Sequence, residues 1–401
     1  MVNMGELFAY PRIRNISMDL VPIDVKEHHY LLEAGDLLFA RQSLVLSGAG
    51  QCSIFLGNDA PTVFESHLIR CRLNPIRSNP LFYFYFFRSP DGRRVIEAIV
   101  EQGAGASGIR GSDLVNVQVP NPPKQIQDEV AGLLGSLDDR ITLLRETNTT
   151  LEAIAQALFK SWFVDFDPVH AKMHGRAPEG MDEATAALFP DSFEDSELGP
   201  VPEGWKVGSL ADLMKLHKGS VNPLIHPDVL FSHYSLPAFD NGQIPVFEYG
   251  AEIKSNKTTV PTDAVLVSKL NPHIPRIWLP SVVGSNAVCS TEFLPFVPTS
   301  RTTTNFVYAL LIEPSFMLSM SQLVTGTSNS HQRIKPDSVL SRKHLVPHEP
   351  CIKKFDEVIS SLMERLRATR QQIQSLSALR DTLLPRLISG QLSSNFLNQY
   401  E

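Results

Sequence analysis

The chain has 401 residues, of which 43% are hydrophobic and 20% charged, enough for two or three globular domains with substantial cores. No apolar run approaches the ~20 residues of a membrane span. The N-terminus also lacks the basic and apolar regions of a secretory signal, so we expect a cytoplasmic protein without membrane contact. Four scattered cysteines without a CxxC pair indicate reduced thiols. The net charge of −7 argues at first against nucleic-acid binding.

Residues 1–120 are predicted to form a first mixed globular domain, in which Gly35 and Asp36 make a turn before a buried strand over 37–40. The aromatic run over 81–87 predicts a core element rather than a base-stacking surface. A glycine-rich loop then leads to Arg110, without the Gly-Lys-Ser/Thr of a phosphate loop. Its small residues suit close approach to a DNA backbone as well as they suit a plain surface loop.

Residues 121–167 predict a long helix, because apolar residues recur in alternating steps of three and four with one stutter. The polar Asn148 interrupts the series, which consists of Ile126, Val130, Leu133, Leu137, Ile141, Leu144, Leu151, Ala155, Leu158 and Trp162. A helix of about 40 residues is roughly 60 Å long. Such a rod is unstable alone, so we expect a helical partner of similar length.

Residues 168–204 are predicted to be an acidic connector rich in proline and glycine. Between Asp165 and Glu203 there are ten acidic residues and two basic ones, a charge of about −8. The remainder of the chain is therefore near neutral, and basic faces remain possible there. His170 and His174 lie four residues apart, a spacing that here favours exposed histidines over a metal site.

Residues 205–350 are predicted to form a second globular domain that repeats the first at an offset of about 223 to 227 residues. In this alignment residues 263–268 correspond to residues 36–41. The loop over 325–333 again has small polar residues before an arginine. Related loops with different side chains are expected if the two domains bind different targets.

Residues 351–390 predict a second long helix that stops at Pro385 and Gly390, followed by a tail over 391–401. Its apolar series is Phe355, Ile359, Leu362, Leu366, Thr369, Ile373, Leu376, Leu379, Leu383 and Leu387. Either helix alone suggests a coiled-coil dimerisation arm. The matching pair at one fixed spacing instead favours an internal duplication with an intramolecular antiparallel pair.

Three strings resemble the specificity subunits of type I restriction–modification enzymes. They are AQALFKSWFVDFDPV, its continuation LFPDSFEDSELGPVPEGW, and the C-terminal LSALRDTLLPRLISGQL. The order of globular segment, long helix, globular segment and long helix is also similar to that family and covers nearly the whole chain. The resemblance implies an α/β (α+β) fold, with two target-recognition domains separated by two long antiparallel coiled-coil helices in an internal pseudo-repeat.

The resemblance further implies a non-catalytic subunit that reads double-stranded DNA, each domain recognising one half of a split target. Two modification subunits would methylate adenine with S-adenosylmethionine, and two restriction subunits would use ATP and Mg²⁺. This chain itself would then hold no cofactor and no metal.

Candidate base-contacting residues are polar side chains in the loops. They are Arg41, Ser43 and Arg110 in the first domain, and Lys269, Asn329, His331 and Arg333 in the second. A structural ion pair is an equal alternative for Arg41. Apolar positions predicted for the spacer helices and for subunit docking are Leu137, Leu144, Leu151, Leu158, Leu362, Leu366, Ile373 and Leu383.

One departure from the family concerns the first domain. Residues 202–210 resemble the usual opening of such a domain, and the repeat offset puts their counterpart about 20 residues before Met1. The first domain is therefore expected to lack its opening strand and helix.

Two alternatives from other functional classes remain. Asn121-Pro122-Pro123-Lys124 resembles the Asn-Pro-Pro-aromatic motif of amino-methyltransferases, which would indicate a fused or standalone DNA-modifying enzyme. Lys124 replaces the stacking aromatic residue and a helix follows at once, so a helix-entry turn is favoured. The other alternative is a coiled-coil scaffold that does not bind DNA.

Overall fold

The computed structural model describes residues 1–103, 105–281, 283–322 and 332–392. The chain divides into two compact units, and each contains parts of both long helices. Unit 1 comprises residues 1–142 and 375 onward, and unit 2 comprises residues 143–374. No helix among the described residues is both long enough and apolar enough to cross a membrane.

Unit 1 is built from short strands and helices around one mixed sheet. Its strands are β1 (Arg12–Ile13), β2 (Leu37–Ala40), β3 (Gln42–Ser43), β4 (Cys52–Phe55), β5 (Leu68–Cys71), β6 (Glu101–Gln102) and β7 (Ser107–Gly108). Its short helices are α1 (Met4–Ala9), α2 (Pro80–Arg88), α3 (Pro90–Glu97) and α4 (Gly111–Val115). The sheet has the order β1-β4-β2-β5, and β3, β7 and β6 form a separate small ladder.

Both faces of the unit 1 sheet are covered, which explains why every residue of β2 is buried. Leu37 and Phe39 face a core shared with the aromatic helix α2 and with Val130 and Leu134. Leu38 points into a second cluster that includes residues of α1. The aromatic run over 81–87 is therefore core, as predicted, and most of its rings are not available to stack on bases.

Unit 2 contains many more strands. They are β8 (Phe193–Ser196), β9 (Gly199–Pro202), β10 (Lys206–Ser209), β11 (Met214–Leu216), β12 (Ser220–Val221), β13 (Leu230–Tyr234), β14 (Val246–Tyr249), β15 (Lys257–Thr259), β16 (Val265–Ser268), β17 (Ile277–Trp278), β18 (Ala287–Cys289), β19 (Phe293–Pro298) and β20 (Lys343–Val346). The short helices of this unit are α6 (Asp167–Met173), α7 (Glu183–Ala186), α8 (Leu236–Asp240), α9 (Thr304–Ile312), α10 (Pro314–Ser321) and α11 (Pro336–Leu340).

The first sheet of unit 2, β11-β19-β16-β17, repeats three strands of the unit 1 sheet. Strand β16 is antiparallel to β19 and β17, as β2 is to β5 and β4. The outer strands differ, because β11 pairs with the free edge of β19 whereas β5 is the edge strand in the described part of unit 1. Unit 2 also carries a second sheet, β12-β15-β18-β13-β14.

The two long helices are α5 (Lys124–Phe163) and α12 (Glu349–Ile388). Within unit 2 they run antiparallel, because Thr369 hydrogen-bonds to Asn148 whereas Phe355 packs on Trp162. Both Asn148 and Thr369 are buried, so a polar pair sits inside the helix seam. The predicted pair of long helices is confirmed, but α12 continues through Pro385 rather than stopping there.

A buried ionic cluster joins both long helices to α9 in unit 2. Arg370 on α12 donates to Glu152 on α5 at 2.5 Å and to the hydroxyl of Tyr308 at 3.1 Å. Tyr308 in turn donates to Glu152 at 2.9 Å. A second donor of Arg370 is satisfied by the carbonyl oxygen of Leu279 at 2.9 Å. Each polar group of this cluster therefore has a partner, as buried charges require.

The acidic segment is more ordered than a connector, because α6, α7 and the β8–β9 hairpin lie within it. Phe189 is buried with its ring 5.3 Å from that of Trp162 and 6.3 Å from that of Trp205. His170 and His174 are exposed, as favoured from the sequence. Among the described residues, no cluster of three or more His, Cys, Asp or Glu side chains could hold a metal ion.

Candidate functional site

In unit 1, two loops that carry predicted base-contacting residues pair with each other. Arg41 directly follows β2, its N–H donates to the carbonyl of His67 at 2.8 Å, and its carbonyl accepts from Ile109 N–H at 2.8 Å. Ser43 then lies opposite Ser107 in the β3–β7 ladder. We call residues 41–43 and 107–109 the paired loops of unit 1. Two of the predicted residues, Arg41 and Ser43, lie on one of these loops.

Arg110 immediately follows the same paired loops and precedes α4. Its side chain is 68% exposed and donates to Glu101 at 2.6 Å, an exposed ion pair of small energetic value. Gly108 lets the loops approach closely, because a Cβ at that position would lie 3.0 Å from the carbonyl oxygen of Arg41. The structure therefore brings Arg41, Ser43 and Arg110 into one region.

Unit 2 contains the same arrangement. Lys269 directly follows β16, its N–H donates to the carbonyl of Glu292 at 2.9 Å, and its carbonyl accepts from Ile334 N–H at 3.0 Å. Asn271 N–H donates to the carbonyl of Gln332 at 2.8 Å. Residues 269–271 and 332–334 are the paired loops of unit 2. They repeat the backbone pairing of unit 1 with different side chains.

Arg333 lies in these loops and forms an isolated antiparallel β-bridge with Leu270. Its guanidinium donates to both carboxylate oxygens of Glu292 at 3.1 Å, and this hydrogen bonding raises the pKa of Arg333. The side chain is held in place while remaining 51% exposed. The other two candidates in this loop, Asn329 and His331, lie outside the described residues.

The backbone pairing fixes which residues of the two units correspond. Ile109 and Ile334 occupy the same position, and both are buried. The counterpart of Arg110 is therefore Lys335, and Gly108 corresponds to Arg333. Loop composition had favoured Arg333 as the matching basic residue. The signal for Lys335 is an isoleucine and a basic residue directly before a short helix, a pattern that both units share.

Asn271 and Gln332 also lie in the paired loops of unit 2 and are not among the residues predicted from the sequence. Asn271 is the third residue after β16, as Ser43 is the third residue after β2, so counting from the end of the buried strand would have found it. Its φ of 50° is a left-handed conformation that asparagine tolerates. Its amide oxygen is buried and has no hydrogen-bond partner within the described parts of the chain.

Arg41 also lines a cavity of about 540 Å³ in unit 1. Tyr30 and Phe64 contribute aromatic walls, and Glu27 and Glu65 contribute carboxylates. Two acidic groups disfavour a phosphate inside this cavity. The exposed side chain of Arg41 is thus better placed for a ligand outside it.

The predicted helix positions lie at least partly inside the two units. Fully buried among them are Leu144, Leu366 and Ile373, and half-buried are Leu137, Leu151, Leu158, Leu362 and Leu383. Two other members of the predicted seams, Ile126 and Leu379, are exposed instead. Docking of other subunits on these helices stays a prediction.

Comparison with known proteins points to one family. Residues 21–153 match the family model described as the type I restriction modification DNA specificity domain. The chain is 24% identical to the type I restriction enzyme HindI specificity subunit of Haemophilus influenzae, with 90% of this chain and 87% of that protein covered. It is also 24% identical to the type I restriction enzyme MjaIX specificity subunit of Methanocaldococcus jannaschii, covering 78% and 68% of the two chains.

Solved structures give a weaker likeness. The crystal structure of a type I restriction–modification S subunit from M. genitalium covers 94% of this chain and 88% of its own, with 16% identity and a TM-score of 0.49. The HsdS subunit from Thermoanaerobacter tengcongensis covers 90% and 82%, with 14% identity and a TM-score of 0.31.

Most of the residues that match this family model lie in unit 1. Over most of its length, the chain is similar to specificity subunits of type I restriction enzymes, so the resemblance inferred from its motifs is confirmed.

Proposed function

We propose that this chain reads a split DNA target, with each unit recognising one half in the major groove. The observation that carries the proposal is the occurrence of the same paired loops in both units with different side chains. A repeated backbone frame with diverged polar residues suits two readers of different sequences, because side chains at base edges set specificity.

The two long helices would determine the gap between the half-sites. Each has 40 residues, or about 60 Å at the rise of an α-helix. A buried polar pair such as Asn148 and Thr369 favours one register of a helix seam over others. A fixed register gives a fixed helix length between recognition elements, and therefore a fixed gap in the target.

We further propose that the chain is non-catalytic and acts in the cytoplasm with partner subunits. Two modification subunits, which would bind S-adenosylmethionine, would methylate adenines in the two half-sites. Two restriction subunits would supply ATP- and Mg²⁺-dependent translocation and cleavage. The names of the related specificity subunits support assignment to such a complex.

Co-expression with a modification subunit, followed by sequencing of methylated adenines in host DNA, tests this proposal. The expected result is a split motif with a constant gap. Lys353→Ala is a suitable control, because Lys353 is 64% exposed on α12 and pairs only with Glu349 among the described residues. This variant should leave the motif unchanged. A continuous motif, or a folded complex that methylates no adenine, would contradict the proposal.

A further inference from the structure

We propose that Asn271 and Gln332 are base-reading residues of unit 2, framed by Lys269 and Lys335 as phosphate contacts. This inference deepens the proposed function and rests on it. It follows from comparing the two sets of paired loops residue by residue, because two domains that read different bases still meet the same phosphodiester backbone.

Basic residues stand at the same two positions in both units. Arg41 and Lys269 each follow the buried central strand, and each is tied by two backbone hydrogen bonds to equivalent neighbours. Arg110 and Lys335 each follow the buried isoleucine and precede a short helix. Arginine binds phosphate through its bidentate fork and lysine binds it as a point charge, so either side chain can serve as a phosphate contact at such a position.

The geometry leaves these cations accessible. Arg41, Arg110 and Lys335 are exposed, and Lys269 is half-buried. Only Arg110 of the four has an ion-pair partner within the described residues, and that pair with Glu101 is itself exposed. An exposed pair is readily exchanged for a phosphate, because its net stabilisation is small.

The pair directly opposed across the loops differs in chemistry between the units. Unit 1 has Ser43 opposite Ser107, two short hydroxyl side chains. Unit 2 has Asn271 and Gln332 at the equivalent positions, as the Asn271 N–H bond to the Gln332 carbonyl shows. Asn271 and Gln332 both carry amides, and an amide offers the donor and acceptor pattern that recognises adenine in the major groove.

Arg333 is less suited to this role than its exposure suggests, because Glu292 already accepts from two of its donors. Asn271 by contrast makes no side-chain hydrogen bond within the described residues, although its buried amide oxygen would have to turn outward to meet a base. We infer that Arg333 braces the loop while Asn271 and Gln332 carry sequence discrimination in unit 2.

The test uses the full chain co-expressed with a modification subunit. Adenine-methylation sequencing gives the motif, and binding of a duplex carrying that motif is measured at several salt concentrations. The informative variant is Asn271→Ser with Gln332→Ser, which places the unit 1 pair in unit 2. It is compared with Lys335→Ala and Arg110→Ala. If the double variant is unfolded, the single variants Asn271→Ala and Gln332→Ala replace it in both measurements.

The serine variant should alter recognised bases in one half-site, lose roughly tenfold or more in affinity for the original duplex, and leave the other half-site unchanged. Lys335→Ala and Arg110→Ala should each leave the motif unchanged. Each should reduce the slope of log affinity against log salt concentration by about the contribution of one phosphate contact. An unchanged motif in the serine variant, in Asn271→Ala and in Gln332→Ala would overturn the inference while the proposed function stands. Altered bases in the motif of Lys335→Ala would overturn it as well. A wild-type complex without a split motif would overturn both.

Discussion

Replacing Glu152 by alanine should lower the free energy of unfolding of unit 2 by about 3–5 kcal/mol. Glu152 accepts hydrogen bonds from Arg370 at 2.5 Å and from Tyr308 at 2.9 Å. The side chain of Arg370 is only 12% exposed, so the substitution would leave its charge buried without its carboxylate. The lower part of this range is expected, because the Glu152 side chain is itself 30% exposed and water can partly replace it.

Intrinsic fluorescence isolates the effect, because all three tryptophans, at positions 162, 205 and 278, lie in unit 2. A loss of 3 kcal/mol corresponds to a decrease of roughly 6–12 °C in the midpoint of thermal unfolding for a unit of this size. Urea unfolding followed by the same signal gives the free energy directly. Lys353→Ala, which breaks an exposed pair on α12, the helix that carries Arg370, should change the transition little.

A double variant separates charge burial from packing. Adding Arg370→Met to Glu152→Ala removes the stranded charge, so the double variant should be more stable than Glu152→Ala alone. A Glu152→Ala transition equal to that of the Lys353→Ala control would show that Glu152 does not stabilise unit 2 through Arg370. A double variant less stable than both single variants would show that the stranded charge is not the cause of the loss.

Three further predictions follow from the fold and the proposed function. Burial, assisted by Arg342, lowers the pKa of His344 to about 4, below its usual 6.5. The free energy of unfolding should therefore decrease as the pH is lowered from about 6.5 towards 4, by about 2 kcal/mol between pH 7.5 and pH 5 in tryptophan-detected unfolding. His344→Gln should flatten this pH dependence. Leu366→Ala should cost about 2–5 kcal/mol because Leu366 is fully buried, whereas Leu318→Ala, at a side chain 66% exposed, should cost little. Inserting one heptad in both long helices should change the gap in the methylation motif but not its bases, and an unchanged gap would rule out the spacing role.

The sequence predicted the long helices because heptad periodicity directly encodes a helix with an apolar seam. It misplaced some seam residues because α5 contacts more than one partner. In unit 1, Leu134 is fully buried within the core that holds the aromatic helix α2, whereas the predicted Ile126 is exposed. Periodicity specifies a face of a helix, and the surrounding elements decide how far along the helix that face is covered.

Correspondence between the repeats was predicted at the level of elements but not of single residues. The sequence alignment matched Ser268 to Arg41, whereas the equivalent backbone hydrogen bonds of the two units show that Lys269 is the counterpart of Arg41. In a strand, a shift of one residue moves every side chain to the other face. Loop composition alone therefore matched Arg333 with Arg110 and did not single out Lys335 or Asn271 for comparison.

The division of α12 between the units has a consequence for synthesis on the ribosome. Leu387 and Ile388 belong to the core of unit 1, although unit 2 precedes them in the chain. At about 5–20 residues per second, the roughly 230 residues of unit 2 take about 10–45 s to translate. During that interval the nascent first unit lacks one wall of its core, and its apolar side chains need shelter from other chains. Shortening the C-terminal helix would for the same reason weaken the N-terminal unit, far away in sequence.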